Sequence, residues 1–157
     1  MESSANVNPD VVKAKDIFTG NQKELIRLSI QNAELDTSGE IRVHIETNCS
    51  GDVMDRATYI FDKLGMQKTA MRNGVLIYLA VKTRKFAIIG DAGINKVVQA
   101  GFWNDVKNIM FDHFRDGKFT EGLSEAITKT GEQLKKYFPY QVDDVNELPD
   151  DISFGDN

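Results

Sequence analysis

Residues 73–93 read NGVLIYLAVKTRKFAIIGDAG, and this stretch decides the fold of the chain. The run from Val75 to Val81 is continuously apolar rather than alternating, which is typical of a strand covered on both faces. A short turn, Lys82-Thr83-Arg84, separates it from a second segment, Lys85 to Ile89. The first segment is therefore predicted to be a central strand that pairs with the second as an antiparallel hairpin.

Upstream of the hairpin, the apolar spacing predicts a helix from about Gln22 to Leu35. Asn21 is its predicted N-cap, because Glu24 stands three residues later, as in a capping box. The predicted apolar face of this helix consists of Leu25, Leu28, Ile30 and Ala33.

The remaining elements follow from the same periodicities. Apolar and polar residues alternate from Glu40 to Thr47, which predicts a half-buried strand at or near a sheet edge. A helix with Ser50 or Asp52 as its cap then ends near Gly65. Two further helices follow the hairpin: the first carries a buried stripe of Trp103, Val106, Met110 and Phe114, and the second has Thr120 as N-cap and is ended by Pro139.

The resulting order, α-β-α-β-β-α-α, predicts an α/β fold. A strand, helix, strand unit prefers a right-handed crossover with parallel strands. We therefore expect a three-layer αβα sandwich, in which a small mixed sheet carries helices on both faces. The chain divides into an N-terminal extension over residues 1–19, a domain over 20–139 and an acidic tail over 140–157.

Composition narrows the classes of function. The 157 residues carry a net charge of −5, but residues 139–157 hold six acidic residues and no Lys or Arg. The rest has 19 basic and 18 acidic residues, so it lacks the basic surface of a nucleic-acid binder. Its longest apolar run is far below the roughly 20 residues that span a bilayer, and no secretory signal pattern is present. We expect a cytoplasmic monomer that does not contact membranes.

The topology brings several polar residues to one edge of the sheet. The two parallel strands begin near Glu40 and Asn73, the antiparallel strand ends at Asp91, and the first helix delivers Glu34 and Asp36. Oxygen ligands of this kind suit Ca²⁺ or another divalent cation such as Mg²⁺. The alternative is that these residues only cap helix and strand ends in solvent.

Other chemistry finds little support in the sequence. Cys49 is the only cysteine, so no intramolecular disulfide forms, and Arg56 is one position too far from it for a tyrosine phosphatase loop. His44 and His113 are the only histidines, and each is expected to have a surface or packing role. His44 and Glu46 lie on one face of a strand, but zinc requires three or four ligands.

Four segments together resemble the TPM domain family over residues 20–138. They are Ala33-Glu34 with Thr37-Ser38-Gly39-Glu40-Ile41, then Asn73-Gly74-Val75-Leu76 with Arg84-Lys85, then Gly90-Asp91-Ala92-Gly93-Ile94, and Phe114-Arg115-Asp116-Gly117-Lys118-Phe119 with Gly122-Leu123. The family occurs in thylakoid lumen proteins and in many bacterial proteins of unknown role. Many members also carry a signal peptide and a transmembrane helix, and neither pattern is present in this sequence.

The resemblance implies an αβα sandwich and, from plant relatives, a Ca²⁺-associated acidic site with acid phosphatase activity. Asn73 and Asp91 match the family's motif ends, Glu34 matches its helix-end acid, and Asp116 lies in a motif that is often acidic. These four residues form the expected metal site.

Two functions remain open from the sequence. One is a divalent-metal site that supports weak metal-assisted phosphate-ester hydrolysis, with Arg72 neutralising substrate charge. The other is a non-enzymatic protein-interaction module, whose acidic tail docks on a basic partner or serves as a solubilising extension.

Overall fold

A four-stranded mixed sheet forms the middle layer of the protein, in the order β3-β2-β1-β4. The computed structural model describes residues 13–140 and 152–155. The strands are β1 (Glu40–Glu46), β2 (Gly74–Ala80), β3 (Lys85–Gly90) and β4 (Ser153–Phe154). β1 pairs in parallel with both β2 and β4, whereas β3 runs antiparallel to β2. The predicted hairpin and central strand are confirmed.

Helices cover both faces of this sheet. They are α1 (Ala14–Ile17), α2 (Gly20–Glu34), α3 (Val53–Lys63), α4 (Ala92–Asn95), α5 (Phe102–Arg115) and α6 (Phe119–Tyr137), with a 3-10 turn at Met66–Lys68. The face that carries Val43 and Ile77 packs against α2, α5 and α6. The opposite face, with Leu76 and Tyr78, packs against α3. The predicted α/β sandwich is therefore confirmed.

The start of α2 differs from the prediction. Thr19, not Asn21, is the N-cap, and its hydroxyl accepts from the Gln22 N–H at 3.1 Å while the Gln22 side chain accepts from the Thr19 N–H at 2.9 Å. The buried face consists of Ile26, Ile30 and Ala33. Leu25 and Leu28, which were expected to be buried, are 55% and 41% exposed, because the helix turns Ile26 toward the sheet instead.

Two other cap predictions have opposite outcomes. Asp52 caps α3 as expected, since its side chain accepts from the Asp55 N–H at 3.0 Å. The prediction for α6 is wrong, because the helix begins at Phe119 with Lys118 in the N-cap position. Thr120 therefore lies inside the first turn of α6, where its backbone is already helical.

The polar side of β1 is buried rather than exposed to solvent. Glu40, His44 and Glu46 are at most 5% exposed, and Arg56 of α3 covers the Glu46 carboxylate. The short strand β4, which the sequence analysis did not predict, pairs with β1 at its outer edge through His44 and Ile45. The alternation of apolar and polar residues along β1 therefore reflects two buried faces, one apolar and one polar.

Parts of the sequence predictions fall outside the described residues. These are residues 1–12 of the N-terminal extension and all six acidic residues of the C-terminal tail. Within residues 13–140 and 152–155, no helix is both long and apolar enough to span a bilayer.

Candidate functional site

The amino ends of β1 and β2 and the carboxyl end of β3 meet at one edge of the sheet. The Glu40 N–H donates to the Asn73 carbonyl at 3.4 Å, and the Asp91 N–H donates to the Gly74 carbonyl at 3.0 Å. Glu40, Asn73 and Asp91 therefore occupy three neighbouring strand ends. We refer to this region, defined by these three residues, as the Asn73 edge.

Asn73 is the most deeply buried polar residue of this edge, at 1% exposure. Its backbone N–H donates to the Thr69 hydroxyl at 3.2 Å, and its side-chain amide donates to the Ser38 hydroxyl at 3.1 Å. The side-chain oxygen Oδ1 is buried and accepts no hydrogen bond from any described residue. A buried amide oxygen without a donor is unfavourable, so this atom is available for an electropositive ligand.

The Asp91 carboxylate is held by a guanidinium. Arg72 Nε and Nη2 donate to Asp91 Oδ2 and Oδ1, each at 2.7 Å, and this contact raises the pKa of Arg72. Asp91 also caps α4, since its Oδ1 accepts from the Ala92 N–H at 2.7 Å. The carboxylate is 6% exposed whereas the Arg72 side chain is 52% exposed, so the pair lies at the rim of the site.

The loop that carries Arg72 is fixed by α4. Arg72 has a φ of 52°, in the left-handed region, and its carbonyl accepts from the Gly93 N–H at 2.8 Å. A Cβ on Gly93 would lie 2.6 Å from the Arg72 carbonyl oxygen, which is too close for any other residue. The glycine therefore permits the contact that aims Arg72 at Asp91.

Glu34 and Asp36 reach the same end of the molecule but engage other partners. Glu34 Oε2 accepts from the Ile41 N–H at 2.6 Å. Successive N–H groups of a strand point to opposite sides of that strand. The Glu40 N–H points toward β2, so the Ile41 N–H points away from β2. Glu34 therefore lies on the side of β1 that faces away from Asn73. Asp36 is exposed, and its carbonyl accepts from the Tyr140 N–H at 2.9 Å.

Asp116 lies at the opposite end of the sheet. It follows α5, whose residue Phe114 packs against Phe86 at a ring separation of 5.2 Å. Phe86 precedes Gly90 by four residues on β3, a separation of about 13 Å along a strand. The structure therefore brings Asn73 and Asp91 together but does not bring Asp116 to them.

Among the described residues, no three His, Cys, Asp or Glu side chains are grouped so that they could hold a metal ion. The acidic residues on the strand ends next to Asn73 are Glu40 and Asp91, which backbone hydrogen bonds bring to this edge. Any cation there would take part of its coordination from backbone carbonyls and water.

A second polar cluster lies at the other end of β1, and its full extent was missed by the sequence analysis. Glu46 is fully buried, and its carboxylate accepts from Arg56 Nε at 3.0 Å and from the Tyr78 hydroxyl at 2.5 Å. Burial acts to raise the pKa of Glu46, but the hydrogen bonds from Arg56 and Tyr78 hold it below its usual value. Burial and the neighbouring carboxylate raise the pKa of the Tyr78 hydroxyl.

His44 completes this cluster. Its ring is stacked on Tyr78, with Nδ1 2.7 Å from the Ser153 hydroxyl and Nε2 3.4 Å from Glu46. Burial lowers the pKa of His44 despite the nearby carboxylate. The shared face of His44 and Glu46 was visible in the sequence, whereas Arg56 and Ser153 reach it through tertiary structure alone.

The architecture defines an α/β protein with a mixed sheet between two helical layers. The family model of the TPM domain matches residues 11–133, and the chain therefore belongs to the TPM domain family. No curated protein sequence is significantly similar to the chain.

Solved structures agree with this assignment. The NMR structure of the BA42 protein from the psychrophilic bacterium Bizionia argentinensis has 46% sequence identity and a TM-score of 0.81, covering 88% of this chain and 95% of that one. The N-terminal domain of cg2496 from Corynebacterium glutamicum is 11% identical with a TM-score of 0.60, covering 89% and 82%. The N-terminal domain of a P. gingivalis protein is 18% identical with a TM-score of 0.64, covering 80% and 83%. The last two show likeness of fold alone.

Proposed function

We propose that this TPM-domain protein binds a divalent cation, Ca²⁺ first and Mg²⁺ as the alternative, at the Asn73 edge. The observation that carries the proposal is the buried Asn73 Oδ1, which accepts no hydrogen bond from the described residues. It stands beside the strand ends of two buried acidic residues, Glu40 and Asp91. Carboxylate and amide oxygens are the ligands that both cations prefer.

The proposed ligand set is smaller than the one expected from the sequence. Glu34 is engaged with the Ile41 amide, and Asp116 lies at the far end of the sheet. The set therefore consists of Glu40, Asn73 and Asp91. Asp91 would exchange its ion pair with Arg72 for the cation, so binding and the Arg72 contact are mutually exclusive.

Phosphate-ester hydrolysis is a second function that depends on the first. A cation at this edge would polarise a phosphoryl oxygen. Arg72, released from Asp91, would place its half-exposed guanidinium where it can pair with a phosphate. We rank cation binding above hydrolysis, because neither the sequence nor the Asn73 edge supplies a recognisable nucleophile activated by a base.

Calorimetric titration of metal-free protein with CaCl₂ and with MgCl₂ tests the cation site. Asn73→Asp adds a charged ligand in place, so we expect it to bind Ca²⁺ more tightly than the wild type. Asn73→Leu removes the ligand oxygen, and we expect it to abolish binding. Asp116→Asn is the matched control and should bind like the wild type, because Asp116 is remote from the edge.

A folding defect would also abolish binding in Asn73→Leu, but it could not produce the tighter Ca²⁺ binding expected for Asn73→Asp. Equal affinity in the wild type, Asn73→Asp and Asn73→Leu would refute the proposal, as would the absence of any binding heat. Phosphate release from p-nitrophenyl phosphate, with and without the cation, then tests hydrolysis in the same variants.

The interaction-module alternative concerns residues that the structure does not describe. Because β4 pairs with β1 near the end of the chain, truncation of the tail would also remove a strand of the sheet. Replacing acidic residues of the tail by the corresponding amides removes their charge and keeps β4. If a pull-down with this variant captures the same partners as the wild type, the acidic tail is not a docking segment. The amide substitutions are made at Asp143, Asp144, Glu147, Asp150 and Asp151.

A further inference from the structure

An aromatic cavity opens between the start of β3 and the junction of α5 with α6. Its volume is about 170 Å³, and its apolar walls are Leu79 and four phenylalanines, Phe86, Phe111, Phe114 and Phe119. It lies at the opposite end of the sheet from the Asn73 edge, since Phe86 pairs with Leu79 at that end of the hairpin. It therefore shares no residue with the proposed cation site.

The size of the cavity corresponds to one aromatic ring. A dry apolar cavity of about 150 Å³ is large enough to bind benzene. The aromatic cavity is thus suited to an apolar group the size of a phenyl ring.

The aromatic walls are held in place by their neighbours. Phe114 contacts Phe86 edge-on at 5.2 Å and Phe119 at 5.4 Å between ring centroids. Gly122 lies directly behind the Phe114 ring, because a Cβ at that position would lie 2.7 Å from it. A ligand would enter a space whose buried wall is already ordered, which lowers the entropic cost of binding.

Two arginines also line this otherwise apolar cavity. Arg84 is exposed, has a φ of 57° in the hairpin turn, and forms no ion pair with a described residue. Arg115 lies over the Phe111 ring at 5.6 Å and forms ion pairs with Asp112 at 3.9 Å and with Asp116 at 3.8 Å, all between exposed side chains. Arg84 therefore supplies an unpaired positive charge beside the cavity, whereas Arg115 is held only by exposed ion pairs, which are weak.

The junction between α5 and α6 adjoins the cavity. The N-cap residue of α6, Lys118, provides no side-chain acceptor for the first-turn N–H groups. The amino end of α6 carries partial positive charge, and the carboxyl end of α5, which meets it at this junction, carries the opposite partial charge. The arginine side chains therefore provide the charge, and an apolar pocket with an unpaired guanidinium at its edge is complementary to an amphipathic anion.

We propose that this cavity binds a small carboxylic acid with a phenyl-sized apolar body. The ring would occupy the space between Phe86 and Phe119, and the carboxylate would pair with Arg84 and Arg115. Arginine binds carboxylates through paired hydrogen bonds, which adds specificity to the apolar contact.

Titration of the ¹⁵N-labelled full chain with three compounds tests the proposal. We expect 3-phenylpropanoate to give saturable amide shifts at Phe86, Phe111 and Phe119. The neutral 3-phenylpropanamide should bind about tenfold more weakly, because it lacks the charge that the arginines recognise. Propanoate, which lacks the ring, should give no saturable shifts there.

Two variants separate the charge from the apolar contact. The double variant Arg84→Gln/Arg115→Gln should bind 3-phenylpropanoate about tenfold more weakly and leave the amide unaffected. Phe111→Ala removes a half-exposed wall and should weaken the acid and the amide alike. Arg27→Gln, on α2, is the matched arginine control and should bind like the wild type.

Three results would overturn the proposal. One is equal affinity for the acid and the amide, and another is undiminished affinity of the double variant for the acid. The third is the absence of shifts around the cavity in a wild-type spectrum that shows a folded chain.

Discussion

Arg72 holds both carboxylate oxygens of Asp91, with Nε and Nη2 each 2.7 Å from an oxygen. The two partners are unequal, because Asp91 is 6% exposed and the Arg72 side chain is 52% exposed. A partly exposed guanidinium exchanges with solvent more readily than a buried one. Arg72 is therefore a built-in counter-ion at the place where the proposed cation would bind.

This relationship predicts that Arg72→Gln tightens Ca²⁺ binding. The substitution removes the competitor for Asp91, and relief of a partly exposed ion pair is worth up to about 1 kcal/mol, or roughly fivefold in affinity. Calorimetric titration of the variant and of the wild type measures the change. Arg27→Gln removes an arginine that pairs with Glu24 on α2, so it should leave the affinity unchanged.

Two failures of this experiment are distinguishable. If both proteins bind Ca²⁺ and the variant binds equally well or more weakly, Arg72 does not compete for the site. If neither protein binds, the cation site itself is refuted.

The strand ends were predictable from the sequence, but the contacts of Asp91 were not. The continuous apolar run of β2 and its tight turn determine which ends meet, so the placement of Asn73 beside Asp91 follows from strand direction. The pairing of Arg72 with Asp91 depends on a left-handed residue and on a close approach to Gly93, which no periodicity encodes.

Asp116 and β4 show a different limit of sequence reasoning. Asp116 was grouped with Asn73 through a family motif, yet the 14 residues of α5 carry it away from that edge. A helix of that length spans about 21 Å. β4 has only two residues, which is too short for an alternating pattern to be recognised.

The buried ion pair predicts a large effect of Arg56→Ala on stability. The substitution leaves the fully buried Glu46 carboxylate without its guanidinium. We expect a loss of about 3 kcal/mol in the free energy of unfolding, at the low end for a broken buried pair, because Arg56 is partly exposed. Urea denaturation measures the change.

The control for this loss neutralises the partner. Arg56→Ala/Glu46→Gln should be more stable than Arg56→Ala alone, because no buried charge remains. Lys63→Ala removes another positive charge from α3 and should change stability by less than about 0.5 kcal/mol. A double variant no more stable than Arg56→Ala would show that lost packing, not charge, dominates.

His44 predicts that stability falls as the pH drops below about 6.5, the ordinary pKa of histidine. Burial lowers the pKa of His44 in the folded state. At a pH between the folded-state pKa and the unfolded-state pKa, the unfolded chain binds a proton at His44 and the folded chain does not. Protonation therefore favours unfolding as the pH falls. One proton can contribute a slope of at most about 1.4 kcal/mol per pH unit. The depressed pKa of Glu46 adds a further loss only at lower pH, below the ordinary glutamate value of 4.5.

Urea denaturation of the wild type and of His44→Gln between pH 7.5 and 5 isolates the histidine. The wild type should lose stability over this interval, and the variant should have a flatter profile because position 44 no longer titrates. Parallel profiles would mean that His44 does not cause the loss.

Gly93 links the fold to the candidate site. A Cβ at this position would contact the carbonyl oxygens of Met71 and Arg72, and these backbone atoms move only if the loop moves. Overpacking of this kind costs about 1–3 kcal/mol. We therefore expect Gly93→Ala to lower the free energy of unfolding by this amount and to weaken Ca²⁺ binding, because Asn73 follows Arg72 directly.

Gly20→Ala provides the matched comparison for this substitution. Gly20 is the first residue of α2, and no atom outside its immediate surroundings lies within 4 Å of a Cβ built there. Alanine at such a site raises the free energy of unfolding by about 0.4–1 kcal/mol, because it restricts the conformations of the unfolded chain. We expect no effect on Ca²⁺ binding. If Gly93→Ala behaved like Gly20→Ala in both denaturation and titration, the loop would be free to move. The close approach at Gly93 would then not be what fixes Asn73 in the site.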